Sequence, residues 1–206
     1  MFDSFNHLAS ILILFVWSFL SPILPSRPII THQVATPSAK LQSSSPSALV
    51  SIPVVTTAPV PWGQTEKIGD HLYRTYVGSD PAMGTPDEIL TAINNYRHPH
   101  GAQEVHRDDG LCKLAQSRAQ QQDKLGNLDE HKGLEDYMKD DNHWRELNIT
   151  AIGENASYGY VLSGVHLIEW VFDSDVEHRS NQLNPQWNLA CAGTSGVTVD
   201  IIFGKR

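Results

Sequence analysis

Apolar residues recur with helical spacing in two segments of the second half of the chain. In "TPDEILTAINNYRH", Ile89, Ile93 and Tyr96 fall on one face of a helix. Thr85 as N-cap, with Glu88 three residues later, gives the capping-box pattern that begins many helices. The segment therefore predicts a helix that starts at Thr85.

The segment "DDGLCKLAQSRAQQQDKLGN" predicts a second helix, and Gly126 supplies its C-terminal signal. The stripe that this helix would bury is aliphatic at first and becomes polar towards its end. Its members are Leu111, Leu114, Ala115, Arg118, Ala119 and Gln122.

Further elements follow at short intervals. The segment "KGLEDYMKDD" predicts a short helix, and "SGVHLIEWVFDSD" predicts a longer one that buries Val165, Ile168 and Phe172. The runs "NITAIGE", "LACAGTS" and "GVTVDIIFG" are typical of strands. Helices followed by helices interleaved with strands predict a compact α+β fold. Before this region, "HLYRTYV" is either a short strand or linker.

The first part of the chain has a different pattern. Residues 1–25 contain a single apolar run, shorter than the roughly 20 residues of a membrane-spanning helix. A cleaved signal peptide fits this length, and a signal anchor is the alternative, because the run is preceded by Asp3 and by no Lys or Arg. Residues 26–82 are rich in Pro, Ser and Thr and predict a disordered linker. Residues 83–206 form the predicted domain.

The formal net charge of -8 belongs to the predicted domain. Residues 1–82 carry four basic and four acidic side chains, which leaves eleven basic and nineteen acidic ones for residues 83–206. Nucleic-acid binding needs a basic surface, so this acidic domain excludes it. A membrane partner is expected only through an uncleaved N-terminal segment. Cys112 and Cys191 are the two cysteines, and they either form a disulfide or remain buried thiols.

Seven short motifs occur in order along residues 85–206. They are "AINNYRHPHG", "HRDDGLCKLAQSRAQ", "DEHKGLEDYMK", "GENAS", "EWVFDSDVEHRSNQLNP", "WNLACAGTSG" and a terminal "FG". Together they resemble the CAP superfamily, or SCP domain, which includes cysteine-rich secretory proteins and plant pathogenesis-related proteins. The resemblance is to its short, bacterial-type branch. It implies a three-layer α-β-α sandwich.

The resemblance also implies a central cleft. It assigns His131, Glu154, Asp173 and His178 to this cleft, with Asp175 competing for the role of Asp173. His131, Glu154 and His178 are side-chain types that bind zinc, so they form the predicted set of divalent-metal ligands.

The function that this resemblance implies is that of a secreted binding protein without enzymatic activity, whose ligand is a sterol or fatty acid, or whose partner is an extracellular protein. A metal-dependent hydrolase using the same cleft is one alternative. It is less favoured because the sequence contains neither the metalloprotease "HExxH" motif nor a Ser or Cys nucleophile with a placed base. An interaction module carried on a cell-surface stalk is the other alternative.

Two acceptor motifs for N-linked sugar are present, at Asn148 and Asn155. In the resemblance, the "GEN" segment is a buried strand, so Asn155 would be held by hydrogen bonds and could not carry a glycan. Asn148 is therefore the predicted glycosylation site.

Overall fold

The computed structural model describes residues 61–69 and 71–206. The predicted signal or anchor segment, 1–25, and residues 26–60 of the predicted linker lie outside this part of the chain. Within the described residues, no helix is long and apolar enough to cross a bilayer.

Helices and strands are interspersed along the chain. The strands are β1 (Thr65–Lys67), β2 (Tyr73–Thr75), β3 (His106–Arg107), β4 (Ala151–Tyr158), β5 (Leu189–Ser195) and β6 (Thr198–Lys205). The helices are α1 (Pro86–Arg97), α2 (Asp109–Leu125), α3 (Lys132–Met138), α4 (Asp141–Leu147), α5 (Gly164–His166) and α6 (Val176–Gln182). A 3-10 turn follows α1 at His98–His100, and a π-helical segment follows α5 at Leu167–Phe172.

Four strands form the central sheet, in the order β3-β5-β6-β4. Strand β6 is antiparallel to both β4 and β5, whereas β3 runs parallel to β5. Strand β4 is an edge strand, and its Glu154 lies opposite Ile202 of β6. Among the described residues, one edge of β4 is therefore not paired with another strand.

Helices pack on both faces of this sheet. On one face, α1 and the π-helical segment bury Ile89, Ile93 and Phe172 in the same apolar cluster as Ile201 of β6. On the other face, residues of α2, α3 and α4 form a second cluster with Ile152, Cys191 and Ile202. Alternate residues of β6 thus enter different cores, as the pleat of a strand requires. The predicted three-layer α-β-α sandwich is confirmed.

The strongest helix signals are confirmed at their ends. Thr85 and Glu88 form the capping box of α1. Helix α2 begins after the N-cap Asp108 and ends at Gly126, which is left-handed with φ of 71°. The helix predicted in "SGVHLIEWVFDSD" differs from the prediction at Val165. The side chain of Val165 is 46% exposed, so the prediction that it is buried is wrong. The π-helical turn that follows has a wider period, which changes the face on which each side chain lies.

Strands β1 and β2 form a short antiparallel hairpin, with Glu66 opposite Arg74. This hairpin lies within residues 26–82, all of which were predicted to be linker. Since the hairpin packs against α6 through Glu177, ordered structure begins before the predicted domain boundary at residue 83. The strand interpretation of "HLYRTYV" is the correct one, for Tyr73–Thr75.

A disulfide joins α2 to the sheet. Cys112 in α2 is bonded to Cys191 in β5, 79 residues later. The alternative of two free thiols is therefore excluded. This covalent link holds the first half of α2 against the middle of the sheet.

Candidate functional site

A buried arginine binds a group of largely buried polar side chains, which is called the centre below. Arg118, in the second half of α2, donates from Nε to Glu154 Oε1 at 2.9 Å. Its two terminal nitrogens bind both oxygens of Asp129, at 2.7 and 2.6 Å. The guanidinium plane thus joins a strand carboxylate and a loop carboxylate in a forked geometry that lysine cannot provide.

The backbone leaves room for this arginine. Gly133 lies in the first turn of α3, where a Cβ atom would stand only 1.9 Å from Arg118 Nη1. The Gly133 amide also donates to Asp129 Oδ2 at 3.0 Å. Glycine at this position therefore makes space for the ion pair and also supplies one of its hydrogen bonds.

The loop before α3 brings His131 to the same carboxylate. Glu130 and His131 both adopt left-handed backbone conformations, with φ of 55° and 61°. This unusual pair turns the His131 ring into the core, where Nδ1 contacts Glu154 Oε2. Both oxygens of Glu154 are consequently engaged, one by Arg118 and one by His131.

These two partners decide the ionisation of Glu154. Complete burial would raise its pKa, but His131 and Arg118 outweigh burial and lower the pKa of Glu154 to about 2. The side chain is therefore a carboxylate at neutral pH. It is held by its partners and is poorly suited to act as a proton acceptor.

Asp200 is a further member of the centre that the sequence did not reveal. It lies on β6 opposite Ala156, on the same strand face as Ile202, and its Oδ2 accepts from Gln122 Nε2 at 2.7 Å. Burial and the nearby charge of Glu154 raise the pKa of Asp200 well above its usual value. Two acids of opposite pKa shift thus lie side by side, which favours one ionised and one protonated carboxyl group.

The second histidine is held by its own helix. Asp175 is the N-cap of α6 and accepts from the backbone amides of Glu177 and His178, each at 2.9 Å. Its other oxygen contacts His178 Nδ1 at 2.6 Å. Burial lowers the pKa of His178, against the opposing effect of Asp175, and nearby His131 lowers it further. His178 is therefore favoured as a neutral ring.

Amide side chains connect α6 to the edge strand. Asn155 donates to the carbonyl oxygen of His178 at 3.2 Å and accepts from Asn181 at 2.8 Å. Asn155 is fully buried, as predicted, so a glycan there would be incompatible with the fold. Asn148 is exposed at the end of α4, and its glycosylation stays a prediction.

The structure separates the two acids that competed for the fourth cleft position. Asp173 pairs with Arg179 and with the hydroxyl of Tyr96, and its side chain is 34% exposed. It contacts neither histidine in these interactions. Asp175 is the acid beside His178, so assigning Asp173 to the cleft has to be corrected in favour of Asp175.

The donor atoms of Glu154, one of the predicted metal ligands, are already engaged. Glu154 directs both oxygens to Arg118 and His131, and a metal ion there would compete with a buried guanidinium. Among the described residues, no group of three or more His, Cys, Asp or Glu side chains is arranged to hold a metal ion. In this arrangement the set His131, Glu154 and His178 does not fit a zinc site, and Glu154 acts as a partner of His131.

Arg118, Asp129, Gln122 and Asp200 are the centre's members that sequence reasoning did not assign to it. One signal was present: the buried stripe of α2 changes to Arg118 and Gln122 without losing its period. A polar residue on a buried stripe needs a buried partner. That rule predicts that partners exist but does not identify them.

Comparison with known proteins gives similarity in fold alone. No protein-family model matches the chain, and no curated protein matches it either. Several solved structures are similar to it, among them three from bacteria. One is an extracellular protein containing an SCP domain from Bacillus anthracis, with 16% identity, a TM-score of 0.49, and coverage of 59% of this chain and 40% of that one.

The second solved structure is a cysteine-rich secretory protein from Staphylococcus aureus, with 14% identity, a TM-score of 0.47, and coverage of 66% of this chain and 46% of that one. The third is an outer surface protein from Borrelia burgdorferi, with 15% identity, a TM-score of 0.47, and coverage of 60% of this chain and 99% of that one. The match thus spans less than half of the first two proteins. The chain is similar in fold to bacterial proteins that include an SCP-domain protein and a cysteine-rich secretory protein, the family that its motifs resemble.

Proposed function

We propose that the chain is a secreted CAP-type binding protein without enzymatic activity, in which the buried charged centre maintains the fold. The observation that carries this proposal is the burial of the centre: Glu154 and His178 are 0% exposed and His131 is 2% exposed. A catalytic group has to reach its substrate to within hydrogen-bonding distance. Instead, Glu154 contacts His131, and His178 contacts Asp175.

The disulfide supports the secreted location. Cys112–Cys191 is formed, and structural disulfides persist mainly in oxidising compartments. The names of two similar structures, an extracellular and an outer surface protein, describe those proteins and agree with this location.

A zinc titration tests the non-enzymatic proposal. Calorimetry on the full chain should give no binding in the micromolar range, and the protein should show no metal-dependent turnover of peptide or ester substrates. Micromolar binding that is lost in His131→Ala/His178→Ala would contradict the proposal. The matched control is His98→Ala/His100→Ala, which removes two exposed histidines and leaves the centre intact.

A groove between α1 and α5 provides the binding surface in this proposal. Its volume is about 390 Å³, within the range of small-ligand pockets, and Ala92 and Val165 form part of its wall. Asp87 and Glu88 line the groove as well. Asp87 is paired with Arg107, whereas hydrogen bonds from Thr85 lower the pKa of Glu88 and keep it ionised.

This chemistry favours a neutral lipid with a hydroxyl group, such as a sterol, over a fatty acid. A hydroxyl can donate to the carboxylates, whereas a fatty-acid carboxylate would be repelled by them. Binding of a fluorescent sterol to the full chain should weaken at least fivefold in Val165→Glu. Val176→Glu is the matched control, since Val176 is an exposed valine on α6 that does not line the groove. Equal binding by the two variants would contradict this placement.

A further inference from the structure

Glu177 fastens the N-terminal hairpin to α6. Its Oε1 accepts from the Tyr73 hydroxyl at 2.7 Å and from Lys67 Nζ at 3.5 Å, and its Oε2 contacts His71 Nδ1 at 3.0 Å. Three side chains, from β1, from β2 and from the residues between them, thus meet one carboxylate. The hairpin segments 65–67 and 71–75 are called the strap below.

A second attachment lies at the end of β2. Thr75 Oγ1 is 3.0 Å from Ser174 Oγ, and the Thr75 carbonyl accepts from the Tyr160 hydroxyl at 2.7 Å. Thr75 is 2% exposed, so this end of the strap is buried. The two attachments fix both the position and the direction of β2.

The strap covers His178. The Tyr73 ring lies edge-to-face on the His178 ring, with centroids 6.1 Å apart. Phe172 stacks on the same imidazole at 5.2 Å, and Asp175 holds its Nδ1. Of these three neighbours, Tyr73 alone belongs to a segment outside the three-layer sandwich.

The cover is weakly held compared with the layers beneath it. The β1–β2 pairing extends over three residue pairs, and an isolated two-stranded hairpin is at best marginally stable in water. Its ion pairs are partly exposed, with side-chain exposures of 50% for Lys67 and 28% for Glu177. Such pairs contribute little each. Each of these exposed strap contacts is therefore weaker than the covalent link between α2 and the sheet.

We propose that the strap gates the His178 side of the buried centre: it opens as a unit by losing its Glu177 and Ser174 attachments, and a small molecule reaches His178 only in the open form. This inference is independent of whether the centre has a catalytic or a structural role. It concerns access, which follows from the placement of Tyr73 over the imidazole.

The test measures the reactivity of His178 in the full chain. Diethylpyrocarbonate is the probe, and peptide mass spectrometry gives the rate of modification at His178. Glu177→Ala removes the strap's main attachment, so we expect the rate to rise at least fivefold. Val176→Ala, an exposed neighbour on the same helix, should leave the rate unchanged.

A cross-linked variant tests the opposite direction. Oxidised Thr75→Cys/Ser174→Cys should hold the strap closed and lower the His178 rate at least fivefold, whereas the single variant Ser174→Cys should not. Peptide mapping establishes that Cys112 and Cys191 remain paired with each other in the double variant.

Three results would overturn the proposal. The first is an unchanged His178 rate in Glu177→Ala while amide exchange shows that the strap amides have become exposed. The second is an unchanged rate in the cross-linked variant. The third is a rise in reactivity that parallels amide exchange in β6, because this would mean opening of the whole domain. Where Glu177→Ala fails to fold, Lys67→Ala/His71→Ala/Tyr73→Phe removes the same three contacts from the side of the strap.

Discussion

The two halves of α2 face the same sheet with the same helical period, yet they are held in different ways. In the first half, Leu111 and Leu114 pack in the apolar cluster that includes Ile202, and Cys112 is bonded to the sheet. In the second half, Arg118 and Gln122 are equally buried but bind acidic side chains. Helical periodicity therefore determines which side chains of α2 are buried. The residue type then determines whether a buried side chain makes non-directional apolar contacts or hydrogen bonds of defined geometry.

This difference between the two halves of α2 predicts different responses to substitution. Apolar packing scales with area and tolerates replacements of similar volume. A buried ion pair depends on both partners, because removal of one leaves an uncompensated charge in the interior. The second half of α2 should therefore be the more sensitive to conservative replacement.

The largest effect is expected for Arg118→Met. This change keeps much of the side-chain volume but leaves Glu154 and Asp129 without their cation, so the free energy of unfolding should fall by roughly 3–5 kcal/mol. Urea denaturation measures this value. The control on the same helix is Lys113→Met, an exposed position where a change within about 0.5 kcal/mol is expected. A loss below 1 kcal/mol for Arg118→Met would remove the contrast between the halves.

The first half of α2 is tested by removing its disulfide. In Cys112→Ser/Cys191→Ser, the free energy of unfolding should fall by about 2–4 kcal/mol, because the unfolded chain regains the freedom of a 79-residue loop. Thermal denaturation with and without reductant provides the measurement. The double variant should not respond to reductant, and an equal response in the two proteins would contradict the assignment.

Acid should act on the titrating side chains around the polar half of α2 and should leave the packing of its apolar half unaffected. The pKa of His178 is lowered in the fold, so the unfolded chain binds more protons and stability falls as the pH drops below about 6.5. The pKa of Glu154 is lowered to about 2, so its stabilisation is complete above its unfolded value and is lost as the pH falls towards 2. Asp200, whose pKa is raised, acts in the opposite sense: its contribution is lost as the pH rises.

Urea denaturation as a function of pH measures this dependence. We expect a decline on the order of 2–3 kcal/mol between pH 6.5 and 3. Glu154→Gln should flatten the lower part of the curve and keep the part due to His178. A wild-type curve that is level across this interval would contradict the assigned shifts.

A smaller effect is expected for Gly133→Ala. Alanine normally stabilises a helix relative to glycine. Here its Cβ would overlap Arg118 Nη1, so a loss of roughly 1–3 kcal/mol is expected from overpacking. Gly78→Ala is the matched control, because no atom lies within 4 Å of a Cβ at that position. Stabilisation of Gly133→Ala would show that the guanidinium can move aside.

The same contrast explains which elements could be predicted from the sequence. Helices α1 and α2 were predictable because their apolar spacing and caps agree, and the β5 segment was predicted with its observed bounds. Helix α6 gave no apolar signal: its buried face is formed by His178, Asn181 and Gln182, whereas Val176 is 71% exposed. A helix that buries polar side chains is not detected by hydrophobic periodicity.

The candidate site was predictable in its residue types but not in its contacts. His131 and Glu154 are in contact, whereas His178 is paired with Asp175. Their immediate partners depend on long-range packing: Arg118 lies 36 residues from Glu154, and Asp175 is preferred to Asp173 because it caps α6. No local pattern encodes which carboxylate a buried guanidinium will bind.

The left-handed backbone at Glu130 and His131 has a consequence for local unfolding. Neither residue prefers this conformation, and two in succession cost of order 1–3 kcal/mol each. The loop keeps it because the His131 ring is anchored at Glu154. Loss of that anchor should let the loop relax, so residues 130–131 and the histidine form a cooperative unit whose amides exchange together. The substitution Glu130→Gly, at an exposed position, would remove part of this backbone strain. Local unfolding of the unit should then become slower.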